Sequence, residues 1–187
     1  MQLLLGISAG IDRVLAFLGR IGSWAGVVLV FVVCYDVITR YFGVPKPFGL
    51  NSTQIQESEY WLHTFLFSLV LGYAYIRQAH VRIDVIRDNI PNRGKFLIEM
   101  LGCLCFLLPY CCLALYFTII YAQQSYLEGE VSKSVIGLSN IWILKSAIPV
   151  LFVLLGLAGI SQLIKSTAGF LGLLGPEREA EILGGDL

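Results

Sequence analysis

Three groups of residues in this chain have the types and spacing to do chemistry. In the stretch AYIRQAHVRIDVI, Ala74 to Ile86, an apolar run stops at Arg77, and His80, Arg82 and Asp84 then alternate with Val81, Ile83 and Val85. Such a ladder of imidazole, guanidinium and carboxylate can anchor at a membrane surface or bond a partner protein. Asp36 and Arg40 stand four residues apart with the acid first, the favourable order for an ion pair along a helix. The third group is five cysteines: Cys34 in one apolar run and Cys103, Cys105, Cys111 and Cys112 in another. On a helix Cys105 and Cys112 share a face but lie about 10 Å apart along the axis, too far to bridge. They read as small buried hydrophobes.

Enzyme chemistry finds no support. There is no H-E-x-x-H, no phosphate-cradling glycine loop and no Ser/His/Asp grouping. His63 and His80 would lie roughly 25 Å apart on one continuous helix, so the two cannot ligate a single haem, although single ligation or ligation across a dimer stays open. His63 alone reads as a helix–helix hydrogen-bonding group. No cofactor and no metal are expected.

The elements that must position these residues follow from composition. Of 187 residues, 57% are hydrophobic and 14% charged, whereas soluble domains carry about 25% charge. The formal net charge of zero excludes the basic footprint of a nucleic-acid binder. The expected fold is all-α: an integral membrane protein with four transmembrane helices, an N-terminal amphipathic interfacial helix and both termini cytoplasmic. A spanning helix needs about 20 mostly apolar residues, and four windows qualify, at about 21–42, 60–76, 96–122 and 142–164. Residues 1–20 place Leu4, Ile7, Ile11, Val14, Leu15 and Leu18 on one stripe, the pattern of an interfacial helix. No removable signal peptide is read there. Residues 21–165 form the membrane domain, and residues 166–187 a frayed cytoplasmic tail.

Orientation follows the lysine and arginine count. Arg13, Arg20, Arg77, Arg82, Arg87, Arg93, Lys95, Lys165 and Arg178 fall on one side, and Arg40, Lys46, Lys133 and Lys145 on the other. The richer side is expected to be cytoplasmic, with the loops before spans two and four outside. The ladder then sits at the cytoplasmic surface, where Arg77 and Arg82 snorkel toward headgroups. No span has an acid at its midplane and no pair of spans is broken in corresponding halves, so the machinery of a carrier is missing. Pro109 is expected to kink span three, with Pro149 early in span four.

The run ESEYWLHTFLFSLVLGYAYIRQAHVRIDVI resembles the small permease subunit of tripartite ATP-independent periplasmic (TRAP) transporters. Glu57, Glu59 and Trp61 match that family's start of the second span, and His80, Arg82 and Asp84 its His-x-Arg-x-Asp ladder. DVITRYFG, with Asp36, Arg40 and Tyr41, resembles its first-span exit, and DNIPNRGK its inner loop. KSAIPVLF, with Lys145 and Pro149, resembles its start of the fourth span. The likeness covers roughly residues 20 to 165. It implies a multi-pass protein of the bacterial inner membrane, partnered by a large multi-pass permease subunit, a periplasmic substrate-binding protein and membrane lipids. The large subunit would carry sodium-coupled transport, commonly of organic acids. This chain would brace it and help form the periplasmic docking surface, with Trp61 and Trp142 in an aromatic belt. The residues alone leave two other readings: a four-helix anchor of a redox complex and a small homo-oligomeric exporter.

Overall fold

A computed structural model of the chain describes residues 1–43, 51–79, 89–134 and 136–183. All regular structure among them is helical: α1 Gln2–Phe42, α2 Ser52–Ile76, α3 Asn92–Leu127, α4 Ile141–Phe170 and the short α5 Pro176–Leu183. Three of these, α1, α3 and α4, are long and apolar enough to cross a membrane. The second helix falls short by that measure, since Glu57, Glu59 and His63 lie inside it. It is nevertheless a full member of the bundle.

Local sequence explains the helix ends. Asn51 caps α2: its side chain accepts the Gln54 N–H at 2.8 Å, and the Gln54 side chain accepts the Asn51 N–H at 3.4 Å, a reciprocal capping box. Helix α1 stops at Gly43, whose φ of 64° is the left-handed conformation that glycine adopts without strain. In α3 one π-helical turn, Cys103–Leu107, precedes Pro109. The Leu108 N–H reaches back to the Cys103 carbonyl, and the proline that lacks a donor is fitted into the helix just beyond this wider turn.

Helix α4 is the centre and packs against α1, α2 and α3. A third of its most apolar stretch is buried (33%), against 11% in α1 and in α3. Leu15 of α1 meets Leu154 and Ala158 of α4, with Leu69 of α2 against them. The backbones approach closely at small residues. A Cβ on Gly22 would lie 2.8 Å from Leu69 Cβ, and one on Gly72 would lie 2.9 Å from the Leu154 carbonyl oxygen, so both seams need glycine. The contacts run antiparallel between α1 and α2, and parallel between α2 and α4. One end of the bundle, the termini end, therefore holds the start of α1 and helix α5, and the other holds the 128–140 loop and the starts of α2 and α4.

Two features differ from the sequence reading. The helix that begins at Gln2 continues through residue 20 to Phe42, so the expected interfacial segment and the first span are one rod. Within it Leu4, Ile7 and Val14 are exposed while Ser8 and Leu15 are buried. Where lipid is the surrounding medium, large apolar side chains can face outward and small or polar ones pack between helices. At the other end of the chain, α4 runs to Phe170 and α5 occupies part of the segment read as a frayed tail.

Candidate functional site

The polar contacts at the loop end centre on Glu57. This residue faces the interior on the second turn of α2 and is only 6% exposed. Its carboxylate accepts from the Ser132 hydroxyl and from the Leu138 backbone N–H, 75 and 81 residues away. Around it the loop is tied to itself and to its neighbours. The Ser132 N–H donates to the Leu138 carbonyl at 3.3 Å, and Asn51 Nδ2 donates to the Ile136 carbonyl at 3.0 Å. Gly137 passes so near that a Cβ there would lie 2.4 Å from Glu57 Oε1. A second clamp joins the loop to α4, where Lys145 pairs with Glu130 and its ammonium stands 4.0 Å from the centre of the Tyr121 ring. The hydrogen bond from Lys145 holds the Glu130 carboxyl below its ordinary value. A cavity of about 550 Å³, bordered by Glu57, Tyr121, Lys133 and Lys145, opens beside these residues.

The chemistry of this arrangement is fixation. Glu57 accepts from a hydroxyl and a backbone N–H of the loop, and Glu130 is engaged by a lysine, so both carboxylates tie the loop to a helix. The loop surface they support exposes Val131, Lys133 and Ile136, a mixture suited to contact with another protein.

The termini end holds a second polar group, one whose assembly no local spacing announces. Ser8 and Ser161 hydroxyls stand 2.7 Å apart. Ser161 donates to Asp12 at 2.6 Å, and Lys165 pairs with the other Asp12 oxygen at 2.5 Å. The participants are about 150 positions apart in sequence, and the visible signal was only small polar residues inside apolar helices.

The other sequence-derived residues are placed as follows. Asp36 is fully buried and pairs with Arg40 one turn on, as the spacing indicated. Glu59 and Trp61 are half-buried on α2, and one Glu59 carboxylate oxygen is buried with no hydrogen-bond partner among the described residues. Trp142 sits edge-to-face with Tyr126, ring centres 5.3 Å apart. Arg77 is exposed at the C-terminal cap of α2. His80, Arg82 and Asp84 lie outside the described residues. His63 is exposed and faces the Phe67 ring at 4.6 Å, which differs from the expected bond between helices of this chain. All five cysteines are free, with Cys103 and Cys111 buried and Cys34, Cys105 and Cys112 exposed. The outward three correct the reading that all five are buried. Their sulfur is apolar enough to face lipid.

Comparison with known proteins gives one match. The family model described as tripartite ATP-independent periplasmic transporters, DctQ component, matches residues 29–169, well over half of the chain. Neither the curated proteins nor the solved structures yield a match.

Proposed function

This chain belongs to the DctQ component family of tripartite ATP-independent periplasmic transporters, and from that premise we propose that it is the small scaffold subunit of a sodium-coupled, binding-protein-dependent uptake system for organic acids. The family is one of transporter components and not of enzymes, and the chain is a small membrane subunit of such a transporter. In this reading it lies in the bacterial inner membrane with both termini cytoplasmic. The loop end faces the periplasm, where it forms part of the surface on which the binding protein docks. The exposed apolar flanks of α1 and α3, among them Phe31, Ile38, Phe106 and Leu113, are covered by lipid and by the large transport subunit. Arg77, Arg82 and Arg87 hold the exit of the second helix at fixed depth in the headgroup layer, while His80 and Asp84 bond the large subunit's inner surface or the neighbours of Arg82.

The observation that carries the docking role is the Glu57 clamp. It holds the 128–140 loop to α2 through partners far away in sequence, so the loop presents a fixed surface. The test is binding-protein-dependent uptake by the whole complex reconstituted in vesicles. With Glu57→Gln, uptake is expected to fall while the large subunit is still recovered with this chain. Unchanged uptake would contradict the docking role, and uptake indifferent to replacement of sodium would contradict the coupling. Replacing Arg82 and Asp84 together by alanine is expected to weaken recovery of the complex. Unchanged recovery would leave the ladder as a membrane anchor only.

A further inference from the structure

At the termini end a cavity of about 250 Å³ lies between the start of α1, the end of α2, the last turns of α4 and α5. Its wall is divided by chemistry. Leu5, Ile76 and Ile182 make one part apolar, while Gln162, Lys165 and Arg178 supply amide, ammonium and guanidinium groups to another. The cations are not equally committed. Lys165 already pairs with Asp12, whereas Arg178 is exposed on α5 and makes no ion pair among the described residues. Gln162 is 1% exposed, and its side-chain nitrogen has no partner among the described residues. A buried donor without an acceptor is costly, and a partner supplied from outside the chain would relieve that cost.

We infer that this cavity binds a phosphate group carried by an amphiphile, a phospholipid headgroup with its acyl chain against the apolar wall. A guanidinium can donate two parallel hydrogen bonds to phosphate oxygens, a geometry that ammonium lacks. With Lys165 and Arg178 opposed by Asp12 alone among the charged lining residues, the lining carries one excess positive charge, matching a phosphodiester. The apolar half of the wall distinguishes a lipid from free phosphate, which would gain nothing from Leu5 or Ile182. Because α5 brings Arg178 to the cavity, the bound headgroup would also hold α5 against the bundle.

The full chain, purified in mild detergent, is the material for the test. Phospholipid retained through detergent washing is extracted and measured per chain. Arg178→Ala and Gln162→Leu are compared with Arg93→Ala, which removes an exposed cation at the same end but away from the cavity. Retention by Arg178→Ala is expected to be roughly tenfold weaker, the loss of a charged hydrogen bond. Gln162→Leu is expected to be weakened less, and Arg93→Ala to be unchanged. A helical spectrum equal to that of the unsubstituted chain confirms that each variant is folded. In a second arm, inorganic phosphate is titrated and followed by its phosphorus resonance. Phosphate binding that Arg178→Ala removes, without retained lipid, would overturn the lipid assignment in favour of a free anion. Equal retention by all variants would overturn the site altogether.

Discussion

The two ends of the bundle each carry a lysine–carboxylate pair that joins separate elements, Glu130 with Lys145 and Asp12 with Lys165, yet the pairs do different work. At the termini end α1 already lies on α4 through Leu15, Leu154 and Ala158. The Asp12, Ser8 and Ser161 bonds add orientation to a contact that apolar packing makes. At the loop end the described residues of 129–140 form no helix, and polar bonds hold this segment to α2 and α4. Buried Glu57, whose partners are a hydroxyl and a backbone N–H, therefore matters more than its single charge suggests. A carboxylate that supports a loop is harder to replace than one that decorates a helix contact.

Substitutions at the two ends sharpen this contrast. Glu57→Ala leaves the Leu138 N–H and the Ser132 hydroxyl without their acceptor and is expected to cost roughly 2–3 kcal/mol. The readout is a lower thermal midpoint in detergent and faster protease cleavage within 128–140. Gly137→Ala keeps the carboxylate but drives a methyl group into it, and is expected to open the same loop at a cost of about 1–3 kcal/mol. At the termini end Asp12→Ala takes one acceptor from the Ser161 hydroxyl, which keeps Ser8, and the partner from Lys165, while the apolar contact of α1 with α4 stays in place. Its cost is expected to be smaller than that of Glu57→Ala, with no change in cleavage of the 128–140 loop. Equal effects of Glu57→Ala and Asp12→Ala would break the comparison.

The smallest effect is one of pH. The folded-state pKa of Glu130 lies below its ordinary value of 4.5, so its stabilising contribution is fully present above that value. It is lost as pH falls through the lower folded-state value. Hydrogen exchange across the 128–140 loop is expected to quicken in that acid window, and Lys145→Gln to flatten the dependence.

How much of this was legible in the sequence depended on distance along the chain. Long apolar runs marked α1, α3 and α4, and the i, i+4 spacing of Asp36 and Arg40 gave their pair, because both depend on neighbours within a few turns. Glu57 was singled out, but its role was not readable, since its partners lie beyond α3. Lys165 entered only as one cation in an orientation count, and Asp12 lies off the apolar stripe of residues 1–20 and was not singled out. Their pairing depends on α1 lying antiparallel to α4. Gly19, Gly22 and Gly26 went unremarked in the sequence, yet they form the seam against α2. The boundary read at residue 20 falls within that seam, where the helix continues unbroken. The second span was read from about residue 60, whereas α2 begins at Ser52. Residues 44–50 lie outside the described residues.

The scaffold role is tested most directly by purifying this chain in gentle detergent, tagged and expressed from its native genomic neighbourhood, and identifying what accompanies it by mass spectrometry. A large multi-pass membrane protein recovered in equal amount is the expected result. A homo-oligomer with no such partner, or a coloured complex carrying soluble redox subunits, would contradict it.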